Sequence, residues 1–260
     1  MKTVASFDLQ DVSFAVPGRQ LLAPLSLQMH PGKMFGLIGH NGSGKSTLIK
    51  LLARQQPVSA GSIRFGDQAL GKWGNRAFAR KIAYLPQSLP ATNGMLVREL
   101  VALGRFPWHG ALGRFGVEDR AKVQEAMGLT DTLQFAEQTV ETLSGGERQR
   151  VFVAMMVAQD AEWLLLDEPI SALDIAHQIE VLTLVSTLCR DRRLGVMVVL
   201  HDINMAARFC DEIIALHSGR LVGRGPVQEM IKPAQLAAIY DVPMGTIPHP
   251  SRDSEIVFAL

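Results

Sequence analysis

Four short apolar runs punctuate the chain: Met34–Ile38, Ile82–Leu85, Trp163–Leu166 and Val196–Leu200. Each has strand length, and none alternates cleanly with polar residues. Strands of that kind are buried on both faces, as in a parallel sheet covered by helices. The intervening segments carry helical spacing. It predicts helices over Thr47–Arg54, Met95–Gly104, Glu118–Met127, Leu129–Glu137, Glu147–Ala158, Ile175–Arg190 and Ile203–Cys210, the last with Asp202 as N-cap. The first part differs. Phe7–Ala15 and Leu25–Met29 roughly alternate around Pro17-Gly18 and before Pro31-Gly32, which reads as strands and turns. Glu212–Leu216 and Arg220–Gly225 form a hairpin around Ser218-Gly219, and Arg105–Gly116 reads as a loop. Pro226 and Pro233 open a helical and irregular tail.

Composition narrows the class. The 260 residues are 47% hydrophobic, enough for one large domain or a domain with an embedded subdomain. Net charge is +1, so there is no electrostatic case for nucleic acid as a partner. The two cysteines, Cys189 and Cys210, lack CxxC spacing, which speaks against a zinc site or disulfide framework. No run reaches the roughly 18 apolar residues of a membrane span. The opening MKTVASFDLQ does not read as a secretory leader. Mean hydropathy of +0.14 is somewhat high, in keeping with burial against a partner.

Four polar motifs follow the four apolar strands. Gly39, Gln87, Asp167 and His201 thus fall on one edge of the expected sheet, where such sheets bind ligands. Gly39-His40-Asn41-Gly42-Ser43-Gly44-Lys45-Ser46-Thr47 fits GxxxxGK[ST] between a strand and a helix. Its glycines let successive N–H groups face phosphate oxygens, and the helix adds its positive end. Lys45 is placed for the β- and γ-phosphates, and Ser46 offers a hydroxyl to Mg²⁺. Asp167 and Glu168 put two carboxylates at a strand end. Asp167 suits Mg²⁺, directly or through water, and Glu168 can polarise an attacking water. Ser144, Gly145, Gly146 and Glu147 open another helix with a hydroxyl and free N–H groups, a second anion site or an ordinary cap.

In order along the chain, the phosphate loop, Gln87, Leu143–Glu147 with Arg148-Gln149-Arg150, Leu164–Glu168, Ser171–Asp174 and His201 resemble the motifs of the ATP-binding-cassette (ABC) ATPases. LSGGE is the most specific piece, and the likeness spans nearly the whole chain. It implies an α/β P-loop core with a mostly parallel sheet, an N-terminal antiparallel β part and an inserted helical subdomain. The expected ATPase domain is 7–243, with core 7–88 and 153–225 around an insert of about 89–152, and 226–260 is a tail packed on the core. Two subunits are expected to pair head to tail, with Ser144–Glu147 of one closing over ATP held by Gly39–Thr47 of the other. By the same resemblance Gln87 contacts Mg²⁺ and water, Glu168 is the catalytic base, Asp174 lines the dimer seam and His201 holds the γ-phosphate.

Two positions depart from the pattern. Val16 stands where the family usually has an aromatic that stacks on adenine, and Phe14, two residues back, reads as core. Ile170 replaces the usual Thr or Ser after Asp167-Glu168-Pro169. The Gly104–Gly110 segment, with its GRxP pattern, resembles importers of iron chelates, haem and cobalamin. Further stretches, including Pro243–Pro250, resemble the ATPase subunits of ferric hydroxamate importers. That likeness implies a peripheral protein on the cytoplasmic face of the inner membrane. Its permease would dock near Gln87 and the insert, and a periplasmic binding protein would act indirectly. A translation or DNA-repair ABC protein is the alternative, disfavoured by the single cassette and short insert. A P-loop kinase or GTPase has no use for Leu143–Glu147.

Overall fold

A computed structural model describes residues 4–110, 113–251 and 254–260. Residues 1–3 of the opening stretch and residues 111–112 of the expected loop lie outside that range.

Strands β1 (Phe7–Val16) and β2 (Arg19–Met29) form a long antiparallel hairpin. Strand β3 (Met34–Ile38) runs through the phosphate loop into helix α1 (Lys45–Leu52). Strands β4 (Ala60–Phe65) and β5 (Gln68–Ala69) complete a four-stranded sheet in the order β2-β1-β4-β5. Helix α2 (Asn75–Ala79) leads to β6 (Ile82–Leu85). A helical stretch follows: α3 (Val97–Leu103), α4 (Phe106–His109), α5 (Val117–Leu129) and α6 (Gly145–Ala158). The chain then alternates through β7 (Trp163–Leu166), α7 (Ile175–Arg192), β8 (Gly195–Val199) and α8 (Ile203–Phe209) to the hairpin of β9 (Glu212–His217) and β10 (Arg220–Pro226). Helices α9 (Val227–Met230) and α10 (Pro233–Tyr240) and a terminal hairpin, β11 (Met244–Pro248) with β12 (Glu255–Ala259), end it.

The main sheet has six strands in the order β10-β9-β3-β8-β7-β6. All neighbours are parallel except the β9–β10 pair. Its apolar strands are continuous because successive side chains enter different cores. Met34, Ile38, Leu164, Leu166, Val196 and Val198 face the cluster formed with α6 and α7. Phe35, Leu37, Trp163, Leu165, Met197 and Val199 face the other, built with α1 and the N-terminal sheet. Trp163 joins the two sheets: its ring meets Phe7 edge-on at 5.0 Å and stacks near Phe35 at 6.0 Å. Such contacts add about 0.5–1.5 kcal/mol each beyond area burial.

Two local expectations change. The helix expected over Leu129–Glu137 is only a short 3-10 turn at Leu133–Phe135. Helix α5 stops because Asp131 takes a left-handed φ of 51° and the Thr130 hydroxyl bonds back to the Ala126 carbonyl at 3.0 Å. The segment read as a loop from Arg105 contains α4 and is tightly held. Buried Arg105 donates to Asp119 Oδ1 and to the Ala158 carbonyl, both at 2.9 Å. Burial opposes ionisation of Asp119. The Gly116 amide and the Arg105 guanidinium override that and hold its carboxyl below the usual range. Removing one partner of so enclosed a pair costs about 3–5 kcal/mol. Trp108 donates to the Gln159 carbonyl at 2.7 Å, with the Arg80 and Arg105 guanidiniums each 4.9 Å from its ring. Arg105 and Trp108 therefore fasten α4 to the end of α6, and Phe106 is the exposed aromatic of the segment.

Candidate functional site

The phosphate loop is shaped by close backbone approach. Gly39 has φ of 141°, and a Cβ there would stand 2.0 Å from the Leu216 carbonyl oxygen, so only glycine fits. Gly42 and Gly44 continue the curl into α1, whose N-cap is Gly44. Lys45 is buried, with Nζ donating to the Gly39 and His40 carbonyls at 2.8 and 2.9 Å. Burial lowers its pKa, while Glu168 and Asp167 act in the opposite direction. His40 and Asn41 lie at the loop crest and Asn41 is exposed, while Ser43 is fully buried below it. Thr47 follows Ser46 on the first turn of α1.

The other edge residues converge on this loop. Ser46 Oγ donates to Asp167 Oδ1 at 3.1 Å, joining α1 to the end of β7. Asp167 is buried, which raises its pKa against the Ser46 hydrogen bond. Its Oδ2 is enclosed and has no hydrogen-bond partner among the described residues. Glu168 follows with a left-handed φ of 54°, an uncommon backbone conformation for a residue with a side chain. Gln87 Nε2, beyond β6, donates to Glu168 Oε2 at 2.8 Å. His201 Nε2, beyond β8, lies 2.8 Å from Glu168 Oε1. Glu168 is thus gripped on both oxygens by residues from two other strand ends.

The donor set fits Mg²⁺. Ser46, the side-chain carbonyl of Gln87 and the Asp167 carboxylate are hard oxygen ligands. The orphaned Asp167 Oδ2 is a buried acceptor still in need of a partner.

Ser144–Glu147 stands apart from this cluster. Ser144 caps α6: Glu147 N donates to Ser144 Oγ at 3.4 Å, and Ser144 N and Oγ donate to Glu147 Oε2 at 2.9 and 2.7 Å. The hydroxyl and amide of Ser144 hold the Glu147 carboxyl below its ordinary range. Ser144 and Gly145 are exposed. Asp174 caps α7, accepting from His177 N at 3.0 Å and facing His177 Nδ1 at 2.9 Å. The His177 ring in turn packs on Gly146, where a Cβ would stand 2.2 Å from its Cδ2. Among the described residues no hydrogen bond or ion pair joins Ser144–Glu147 to the phosphate-loop cluster.

Sequence reasoning missed His177, although Asp-x-x-His at a helix start is a recognisable neighbour spacing. It also missed His217 and Asp241. His217 packs edge-on against His40 at 4.6 Å and faces Asp241 Oδ2 at 3.2 Å. No local pattern links residues so far apart. Val16 ends β1, 39% exposed, while Phe14 packs against the N-terminal core. Ile170 is buried, and its carbonyl accepts from Gln178 Nε2 at 3.2 Å.

A parallel sheet whose central strand feeds a GxxxxGKS loop, with acidic and amide groups on the neighbouring strand ends, defines a P-loop nucleoside triphosphatase. The chain belongs to the ABC transporter family, whose profile matches residues 22–171, and it is an ABC-type ATPase. It is 36% identical over 251 residues to the iron(3+)-hydroxamate import ATP-binding protein of Bacillus subtilis (strain 168), covering 96% of this chain and 93% of that one. It is 41% identical over 243 residues to a hemin import ATP-binding protein of Streptomyces coelicolor, with 92% and 85% covered. Among solved structures it superposes on a putative metal-chelate type ABC transporter in an inward-facing conformation, with TM-score 0.87, 23% identity and 99% of this chain and 98% of that one covered. A dimeric ATP-binding cassette bound to ADP and phosphate gives TM-score 0.74 at 25% identity, covering 85% of this chain and 98% of that one.

Proposed function

We propose that this chain is the ATP-hydrolysing, energy-coupling subunit of an importer of iron(III)-hydroxamate siderophores, bound peripherally to the cytoplasmic face of the inner membrane. The observation that carries this reading is end-to-end similarity to an iron(3+)-hydroxamate import ATP-binding protein, together with a phosphate edge in which Glu168 is held on both oxygens. Haem or another iron chelate is the second cargo reading, favoured by the hemin import relatives. Among the described residues no helix is long and apolar enough to cross a membrane.

In this reading two copies bind two ATP molecules between them. Gly39–Thr47 of one copy wraps the phosphates with backbone N–H groups, and Lys45 leaves its carbonyl partners for the β- and γ-oxygens. Ser144, Gly145, Gly146 and Glu147 of the other copy close over the γ-phosphate, with Asp174 along the seam. Glu168 accepts a proton from the attacking water, and His201 holds the γ-phosphate. Ser46, Gln87 and Asp167 would hold Mg²⁺, which would supply charge neutralisation to the phosphates. Val16 lies against the adenine. Closure pushes on a permease docked near Gln87 and the helical insert, and release of products reopens the pair. A periplasmic binding protein delivers cargo on the far side.

The test is genetic and biochemical. Deletion should abolish growth on a ferric hydroxamate as sole iron source and leave growth on ferric citrate intact, and the chain should co-purify from detergent with an integral-membrane permease. Growth lost on haem alone would reassign the cargo. Recovery with ribosomes or DNA instead of a permease would sink the transport reading.

A further inference from the structure

The described end of the chain lies against two of the loops that form the nucleotide site. His217 is the last residue of β9. Its Nδ1 lies 3.1 Å from the Ile239 carbonyl and its Nε2 lies 3.2 Å from Asp241 Oδ2. The ring thus lies between two acceptors, a carbonyl and a carboxylate, at the end of α10. Its ring and that of His40 in the phosphate loop meet in a T-shaped contact, centroids 4.6 Å apart.

His40 has complementary constraints. Its Nδ1 faces the Asn41 carbonyl at 2.7 Å, and its Nε2 accepts from Ser218 N at 3.3 Å. One tautomer serves both, with the proton on Nδ1. The next amide of the turn, Gly219 N, donates to the Ser43 carbonyl at 3.1 Å. The 216–219 turn therefore braces the phosphate loop at three points: Gly39 against Leu216, His40 against Ser218, and Ser43 against Gly219. Through His217 that turn is fixed to the end of α10.

A second link runs from the terminal hairpin to the His201 loop. Asn204 stands three residues after His201, on the first turn of α8. Its Nδ2 donates to the Val257 carbonyl at 3.1 Å, and its Oδ1 accepts from Val257 N at 2.9 Å. Asp202 caps the same helix by accepting from Asn204 N at 2.7 Å. Tyr240, between Ile239 and Asp241, belongs to this contact: burial and the nearby Asp202 carboxylate push its phenol up to about 12.

We infer that the C-terminal stretches 239–251 and 254–260 set the geometry of the nucleotide site, with His217 a positioning residue for the phosphate loop and Asn204 a positioning residue for His201. The inference rests on the ATPase reading above and assigns separate consequences to the two links. The His217 link fixes the loop that receives the phosphates, so its loss weakens nucleotide binding. The Asn204 link fixes the loop whose His201 meets Glu168, so its loss slows the chemical step more than it weakens binding.

The test uses the purified full-length chain. ATP affinity is read by displacement of a fluorescent ATP analogue, and hydrolysis is read at saturating ATP with Mg²⁺. His217→Phe keeps an aromatic ring against His40 and loses the contacts with the Ile239 carbonyl and the Asp241 carboxylate. It should weaken ATP binding about five- to tenfold and lower the maximal rate much less. Asn204→Leu keeps the side-chain volume and loses both bonds to Val257. It should lower the maximal rate about five- to tenfold and change affinity much less. Exposed Asp241→Asn, which removes charge and leaves the fold intact, should weaken ATP binding about two- to threefold. That variant carries the test if His217→Phe fails to fold. Variants within twofold of the parent in both readouts overturn the inference. So does an equal loss of affinity and rate in all of them, which marks a merely structural tail. A parent chain that neither binds nor hydrolyses ATP overturns the ATPase reading itself.

Discussion

The phosphate edge and the Ser144–Glu147 turn are both built on loops that open helices, yet they handle their polar groups in opposite ways. At the phosphate edge, side chains from four strand ends are bound to one another: Ser46 to Asp167, Gln87 and His201 to Glu168. At Ser144–Glu147 every side-chain bond stays within the turn, and the exposed Ser144-Gly145 backbone faces outward. A site that assembles distant residues in one chain is complete in its protein groups. A turn that satisfies itself and presents a helix start to its surroundings is suited to a ligand brought by another molecule. The difference supports the head-to-tail pair, because each region supplies what the other lacks.

The largest effect should come from the complete half. Glu168→Gln keeps the shape of the side chain and removes the carboxylate proposed as the base. Turnover should fall roughly 10³-fold while ATP binding persists. A closed dimer should then accumulate with ATP, visible as a shift in size-exclusion light scattering. Hydrolysis at the parent rate would reject Glu168 as the base.

Next comes the incomplete half. Ser144→Arg places a bulky cation on the exposed helix start, and hydrolysis should fall on the order of 100-fold. ATP binding by the isolated chain should be unaffected. Mixing this variant with Lys45→Ala should restore part of the activity, since a mixed pair contains one intact composite site. If Ser144→Arg weakens ATP binding by the single chain as strongly as Lys45→Ala does, the two regions are one site in one chain and the comparison collapses.

A smaller effect tests whether Ser144–Glu147 owes its shape to its own capping. Glu147→Ala should lower stability by about 1 kcal/mol, read as a drop in Tm. The sign with pH follows from the depressed carboxyl of Glu147. Its ionised form gives stability that is present above the ordinary value of 4.5 and is lost as pH falls through the lower folded value. The variant should therefore show a shallower loss of Tm on the acid side of pH 4.5 than the parent.

How much of this was legible in the sequence differs between the regions for physical reasons. The phosphate loop, Asp167, Glu168 and His201 were readable because each follows an apolar strand of a parallel sheet, and such sheets align strand ends. Arg105 and Trp108 were misread as part of a loop. Their burial depends on Asp119 and on the carbonyls of Ala158 and Gln159, which the local pattern does not reveal. The His40–His217–Asp241 contact was invisible for a similar reason: it joins the ends of β3, β9 and α10, which only the sheet order brings together.

The smallest effect concerns the adenine end of the phosphate-loop half. Val16 closes β1 beside the turn to β2, where it pairs with Arg19 and is 39% exposed. Phe14 cannot replace the missing aromatic, because its side chain packs against the N-terminal core. An isopropyl group gives adenine apolar contact and no ring to stack on. Val16→Tyr should therefore tighten ATP binding about three- to tenfold, the lower end of what base stacking contributes, because the position is partly open to water. The maximal rate should stay near that of the parent, since stacking acts equally on ground and transition states. Equal affinities for the two proteins would show that adenine does not lie against β1, and the phosphate-loop half would then hold ATP by its phosphates alone.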